Sequence, residues 1–316
     1  MSSQTRKFRR LNMESLEGRK MMAGDVAVAL EGQLLTLRGD NLSNQVVVAQ
    51  NAAGTVTISG QNGTTINGLG SVRLLNPQLN QLDIRMEGGD DSVILRGVTV
   101  ANDLFVDLGA GNDRLSSPQL TPVTVGASAT IEGGSGNDVV RLDGFTVRED
   151  LMVEGGIGSL NVSLNAGAVD KLLTIIGDDA NDSVSLTGLR VGDALSIETK
   201  GGADVVSLTD VQAFSASVNT DANNVGIDRV TMNRVRTVED IGIFTGGGND
   251  VVALTDVTSG KSLTVSLDSG NDSFTGTRVS VAEDAVFEGG AGVDTFTDRG
   301  IFGGIKKDVK EFEVRR

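Results

Sequence analysis

The chain has 316 residues, is 39% hydrophobic and only 3% aromatic, and contains no Trp or Tyr, so any large core must be built from aliphatic side chains. Cys and His are both absent, which excludes disulfides, thiolate metal sites, a Cys nucleophile and the usual neutral-pH general base, and leaves hard oxygen ligands suited to Ca2+ or Mg2+. Net charge is −15. Residues 1–24 set six basic side chains against Glu14 and Glu17, so the remainder carries −19, a body that repels nucleic acid and attracts cations.

Residues 1–25 are basic and are expected to lie outside the fold as a sorting segment. They do not lead into a signal-peptide apolar region of about 7–15 residues, and no stretch of the chain approaches the ~18 apolar residues of a membrane span. Residues 26–90 are expected to form an N-terminal cap with degenerate repeats. Val46 and Val48 fit a unit that starts at Asn44, and Val72 and Leu74 fit one that starts at Gly70. Alternatively Val46–Val48, the turn NAAG and Thr55–Ile58 make an antiparallel hairpin.

Residues 91–297 repeat. Glycine-rich turns end in Asp91, Asp113, Asp138, Asp182, Asp204, Asp228, Asp250, Asp272 and Asp294, mostly 22 residues apart. The one gap of 44 holds Leu160 at the vacant position, after the turn GGIGS. With each Asp as position zero, apolar residues recur at +2 and +4 (Val93, Leu95; Val252, Leu254), at +7 and +9 (Val98, Val100), and at +13 and +15 (Leu104, Val106). Spacing by two is the mark of a strand with one buried face, so each unit holds three short strands separated by corners. One such unit cannot bury its apolar face alone; a stack of them can. The expected fold is therefore all-β, a single parallel β-helix of about 11 coils stacked ~4.8 Å apart, right-handed by the crossover preference. The insertions SSPQLTPV (116–123) and NTDANNVG (219–226) should loop outward. Residues 298–316, charged and off the pattern, are expected to cap the other end.

Two resemblances follow from the motifs. GGSGNDVVR (133–141), GGGNDVV and GGAGVDTFT (289–297) resemble the GGxGxDxUx element of RTX, or haemolysin-type, calcium-binding repeats. RTX elements run in tandem, two to an 18-residue coil, whereas here the turn comes once per 22. LEGRKMM (16–22), after RKFRRLNMES, resembles the LEPR-XLL element of large bacterial surface proteins, with Gly18, Met21 and Met22 departing from it. That resemblance implies an extracellular or cell-surface location and partners among cell-envelope or matrix components.

Two uses of the zero position stand side by side. As a structural corner, the Asp carboxylate accepts turn amides, and Asn112, Asn137, Asn181, Asn249 and Asn271 beside it form an amide ladder. As the RTX resemblance implies, Asp91, Asp113, Asp138, Asp182, Asp204, Asp250, Asp272 and Asp294 include a subset of Ca2+ corners, though nothing in the sequence requires the ion. Leu160 shows that one coil closes without a carboxylate. An outer acidic column, Asp107, Glu132, Glu154, Glu198 and Glu288, reads as a solvated face interrupted by Arg85. Three functions are carried forward. The first is a non-enzymatic exported or surface protein, structural or adhesive. The second is a calcium-dependent folding module of RTX type. The third, a polysaccharide lyase or glycosidase, lacks aromatic stacking platforms, His and cleft-forming loops.

Overall fold

In the computed structural model, residues 24–220 and 226–316 are described. The LEGRKMM element and most of the second insertion lie outside them. The chain is a parallel β-helix of about ten turns. Its strands fall into a 14-stranded sheet, a 22-stranded sheet and a short pair, Ser269–Gly270 with Ala291–Gly292.

The +2/+4 strands stack like on like. Val184, Val206, Val230, Val252, Phe274 and Phe296 occupy successive rungs of one column. The +13/+15 pairs do the same in the other sheet, from Leu82 and Ile84 through Leu263 and Val265. These side chains are almost wholly buried. Each contributes about 1.5–3 kcal/mol of apolar burial, set against the cost of ordering its backbone. Stacking needs side chains of even width, which is why branched aliphatics fill the tube.

The tube changes character at its C-terminal end. There Phe274, Phe287, Phe296 and Phe312 replace the aliphatics, with ring centroids 4.7–5.2 Å apart. The four rings pack together across the last coils. Phe287 is fully buried among them. Phe287→Ala should cost about 3–5 kcal/mol, as core truncations of this size do. Chemical denaturation followed by circular dichroism measures it; a change below ~1 kcal/mol would mean that the rings do not close the core.

Both ends depart from the sequence expectation. Gln45–Gln50 pairs parallel with Ser92–Arg96 and antiparallel with Val56–Gly60, so the coil starting at Asn44 and the hairpin exist together. Val72 and Leu74 do not belong to a coil: Ser71–Leu74 runs antiparallel along the outer edge of Val56–Gly60. At the other end, Thr295–Gly303, Lys306–Lys310 and Val314–Arg315 add parallel rungs, with Phe312 inside and the lysines outside. The insertion in 116–123 loops out, leaving Leu120 93% exposed, while Leu115↔Val140 and Val123↔Phe145 keep register on either side. The 24-residue step is a compound. The strand after Phe214 resumes one residue early (Ser215 pairs with Ala194), and extra residues between Thr220 and Asp228 outweigh that deletion.

Every coil from Asp91 to Asp294 except that of Asp113, where the insertion lies, also bends at +6, where the backbone takes a left-handed conformation. The residues are Gly97, Gly144, Ala166, Gly188, Asp210, Arg234, Asp256, Arg278 and Gly300. On this edge Arg234 grips Asp210 through Nη2 at 2.7 Å, and Arg278 grips Asp256 at 2.6 Å, one coil apart in each case.

Candidate functional site: a buried carboxylate ladder

The zero-position residues form one buried column. Asp91, Asp113, Asp138, Asp182, Asp204, Asp228, Asp250, Asp272 and Asp294 are each no more than 2% exposed. A buried carboxylate without partners is costly, so its hydrogen bonds decide its role.

Those bonds run between coils. The Asp91 N–H donates to Asp113 Oδ1 at 2.6 Å, and the Asp113 N–H to Asp138 Oδ1 at 2.9 Å. Further along, Asp182, Asp204, Asp228, Asp250 and Asp272 each donate their N–H to Oδ1 of the next zero-position Asp, at 2.7–2.8 Å. Each carboxylate thus stands in for a peptide carbonyl at the corner. At the N-terminal end Asn44 joins as donor, its N–H reaching Asp91 Oδ1 at 2.6 Å. At the C-terminal end Glu313 supplies the last acceptor, Oε2 at 2.7 Å from the Asp294 N–H.

Leu160 shows what the carboxylate replaces. Here the strand Leu160–Asn165 pairs with Asp138–Asp143 right up to the zero position. The Asp138 N–H then donates to the Ser159 carbonyl at 2.9 Å, and no carboxylate is needed. The Leu160 N–H rejoins the ladder at Asp182 Oδ1, 2.7 Å away.

A second ladder runs beside the first with opposite polarity. Asn112 Oδ1 accepts from the Asn137 N–H at 3.0 Å, Asn181 Oδ1 from Ala203 at 2.8 Å, Asn249 Oδ1 from Asn271 at 2.8 Å, and Asn271 Oδ1 from Val293 at 2.9 Å. Here the N–H belongs to the later coil and the side chain to the earlier one. One amide–amide bond, Asn137 Nδ2 to Asn112 Oδ1 at 3.1 Å, completes the expected Asn ladder at that rung. The Asn-Asp pair therefore supplies backbone acceptors in both directions along the stack.

The glycines follow from the same stacking. At position −2, Gly111, Gly136, Gly158, Gly226, Gly248, Gly270 and Gly292 all have positive φ. A Cβ there would fall 1.3–2.1 Å from the carbonyl oxygen of the residue one coil earlier. Only glycine fits.

Burial of the ladder raises its carboxyl groups above the ordinary aspartate range. Asp113, Asp204 and Asp272 are pushed up to about 7, Asp91 to about 8 and Asp182 to about 6. Burial is the largest cause in each case, and neighbouring carboxylates add to it at Asp91, Asp113, Asp204 and Asp272; backbone N–H donors pull the other way. The Oδ2 atoms of Asp113, Asp138, Asp272 and Asp294 are buried and accept no hydrogen bond among the described residues. Asp138 Oδ2 and Asp294 Oδ2 lie over the glycine five residues earlier in their own coils, Gly133 and Gly289.

The outer column lies on the opposite sheet in register, Arg85 beside Asp107, then Glu132, Glu154 and, beyond Ile176, Glu198. Burial, then the charges of Asp107 and Glu154, push the Glu132 carboxyl up.

The chain matches no protein-family model and no curated protein sequence.

Ca2+ takes six to eight oxygen ligands. Each Asp corner has one oxygen engaged by a backbone N–H, and among the described residues no three acidic side chains gather to hold a metal. The eight Asp corners read from the sequence share one column, but the column separates them rung by rung instead of grouping them. Sequence reasoning missed Glu313, whose place at the end of the ladder depends on how the last coil folds back. It also missed the direction of the bonds, which composition cannot encode.

Proposed function

We propose that this chain is a non-enzymatic rod with a structural or adhesive role in an exported or cell-surface setting. One observation carries the reading: the most regularly repeated polar groups of the sequence face inward and serve the backbone of the neighbouring coil. Groups committed in this way hold coils together; they do not work on a substrate. The half-buried carboxylates Asp107, Glu132 and Glu154 stand in a row on a continuous sheet face. Of the surface depressions lined by Gln50 and Thr121, by Gln33 and Asn76, by Arg96 and Arg141, and by Arg190 and Phe214, only the third includes a carboxylate, Asp143. The LEPR-XLL-like element supports the surface location.

Incubation with acidic and neutral polysaccharides tests the non-enzymatic part, read as new reducing ends and unsaturated products. None should form; steady turnover would replace this reading with the lyase or glycosidase one. Protease treatment of intact cells tests location and should release peptides of the rod.

A second reading keeps Ca2+ at a subset of corners, as in a calcium-dependent folding module. The buried, unpartnered Oδ2 atoms of Asp113, Asp138, Asp272 and Asp294 favour it. Ionised, neighbouring carboxylates ~4.8 Å apart would repel by about 3–4 kcal/mol at an effective dielectric near 20. A cation could relieve that repulsion, and so could a proton.

A further inference from the structure

The body of charge −19 carries a group of three arginines on one sheet face. Arg96, Arg114 and Arg141 line a surface depression of about 250 Å³ together with Ile94, Ser116 and Pro118. Strand register sets the arrangement. Ser116 pairs with Ile94 on one side and Arg141 on the other, Arg114 lies two residues before it on the same face, and Arg96 lies two residues beyond Ile94. Three guanidinium-bearing positions thus surround one serine.

The out-of-step coil builds the wall. Its extra residues carry the chain outward at Pro118, and the Thr121 N–H closes a turn onto the Pro118 carbonyl at 3.0 Å. Arg141 is paired with Asp143, Nε to Oδ2 at 2.8 Å. Arg96 and Arg114 are exposed and make no ion pair among the described residues. Two uncommitted guanidinium groups therefore remain in a pocket with a serine at its centre. Planar forks of N–H donors are matched by carboxylate and sulfate oxygens.

Charge elsewhere on the rod limits the partner. A nucleic acid carries a phosphate at every nucleotide and would run from this small patch onto the acidic body. A polysaccharide with spaced charges would not. Toward the C-terminus the same sheet face presents uncharged columns, Ser163, Ser185 and Ser207 beside Asn165, Thr187 and Thr209, in register from coil to coil. Hydroxyls and amides at ~4.8 Å intervals can hydrogen-bond sugar hydroxyls.

We propose that the pocket formed by Arg96, Arg114, Arg141 and Ser116 binds the carboxylate or sulfate group of an acidic polysaccharide. The proposal rests on the adhesive reading and names its partner.

The full chain is titrated at low salt against polygalacturonate, dextran sulfate, neutral dextran and an oligothymidylate. Expected are binding to at least one of the two acidic polysaccharides, none to neutral dextran, and at least tenfold loss of affinity in the Arg96→Gln/Arg114→Gln double variant. Arg229→Gln, on the same face but distant, should bind as the parent does. Unchanged melting temperatures show that the variants are folded, since all three side chains are exposed. Unweakened binding by the double variant would overturn the proposal. So would failure to bind either acidic polysaccharide, or tighter binding of the oligothymidylate. These results leave the rod reading standing, which fails separately if the same mixtures yield new reducing ends.

Discussion

Raising the pH from 5 to 8.5 should destabilise the fold, with a fall in melting temperature of about 10 °C or more. Ordinary acidic proteins are not expected to respond in this direction. An unfolded Asp releases its proton near 3.8, whereas Asp113, Asp204 and Asp272 in the folded chain hold theirs to about 7 and Asp91 to about 8. Between those values the folded state binds more protons than the unfolded one. The stability these groups contribute is complete below about pH 4, falls steadily above it, and is gone once pH has risen through the folded values of about 7–8. Between pH 5 and 8.5, one carboxyl moved from 3.8 to about 7 accounts for at most ~3 kcal/mol, at about 1.36 kcal/mol per unit from pH 5 up to its folded value. Neighbouring rungs titrate as a coupled set, so their contributions do not simply add. At roughly 1.5–2 °C per kcal/mol for a chain of this size, a fall of about 10 °C is the combined response of several rungs. Asp113→Asn and Asp272→Asn supply the control. The amide oxygen can still accept from the Asp91 and Asp250 N–H groups, but it cannot ionise. The double variant should show a shallower pH slope. A parent stability that rises steadily from pH 5 to 8.5 would mean that the ladder is ionised in the folded chain.

Gly270→Ala should cost about 4 kcal/mol or more, among the largest losses open to a single methyl group. Gly270 sits at φ +152°, and an added Cβ would lie 1.3 Å from the Gly248 carbonyl oxygen. That oxygen belongs to the backbone of the preceding coil and cannot swing aside. Relief requires the coils to separate, which would break bonds such as Asp250 N–H to Asp272 Oδ1 at 2.7 Å. Gly32→Ala isolates the conformational part. Gly32 has φ +62° and open space around it, so its substitution should cost only about 1–2 kcal/mol. Denaturation midpoints of the two variants measure the difference. Equal losses would show that the glycine column exists for backbone conformation and not for close stacking.

The contrast between these glycines marks what the sequence discloses. The 22-residue period and the apolar offsets were readable because stacking demands the same chemistry at each rung. The −2 glycines were readable for the same reason, since a carbonyl lies over every one. The bend at +6 was not. It faces solvent, so Ala166, Asp210, Arg234, Asp256 and Arg278 serve there as well as glycine. The corner Asp was legible as a hydrogen-bond acceptor of backbone amides. Its donor was not legible, because that N–H lies a full coil away in sequence. Leu160 signalled that a carboxylate is dispensable there, but only pairing up to Asp138 shows the Ser159 carbonyl taking its place. A deleted residue near Phe214 was hidden, since the longer insertion after Thr220 masks it in the step length.

If protons and backbone N–H groups stabilise the corner carboxylates, the rod should need no metal ion. Thermal melts at pH 6 in EGTA and in millimolar Ca2+ test this most directly. The ladder geometry predicts a folded, β-rich chain in EGTA with the same melting temperature as in Ca2+. A chain that is unfolded in EGTA and gains its β-structure on addition of Ca2+ would contradict the hydrogen-bonded corner and establish the calcium-dependent one.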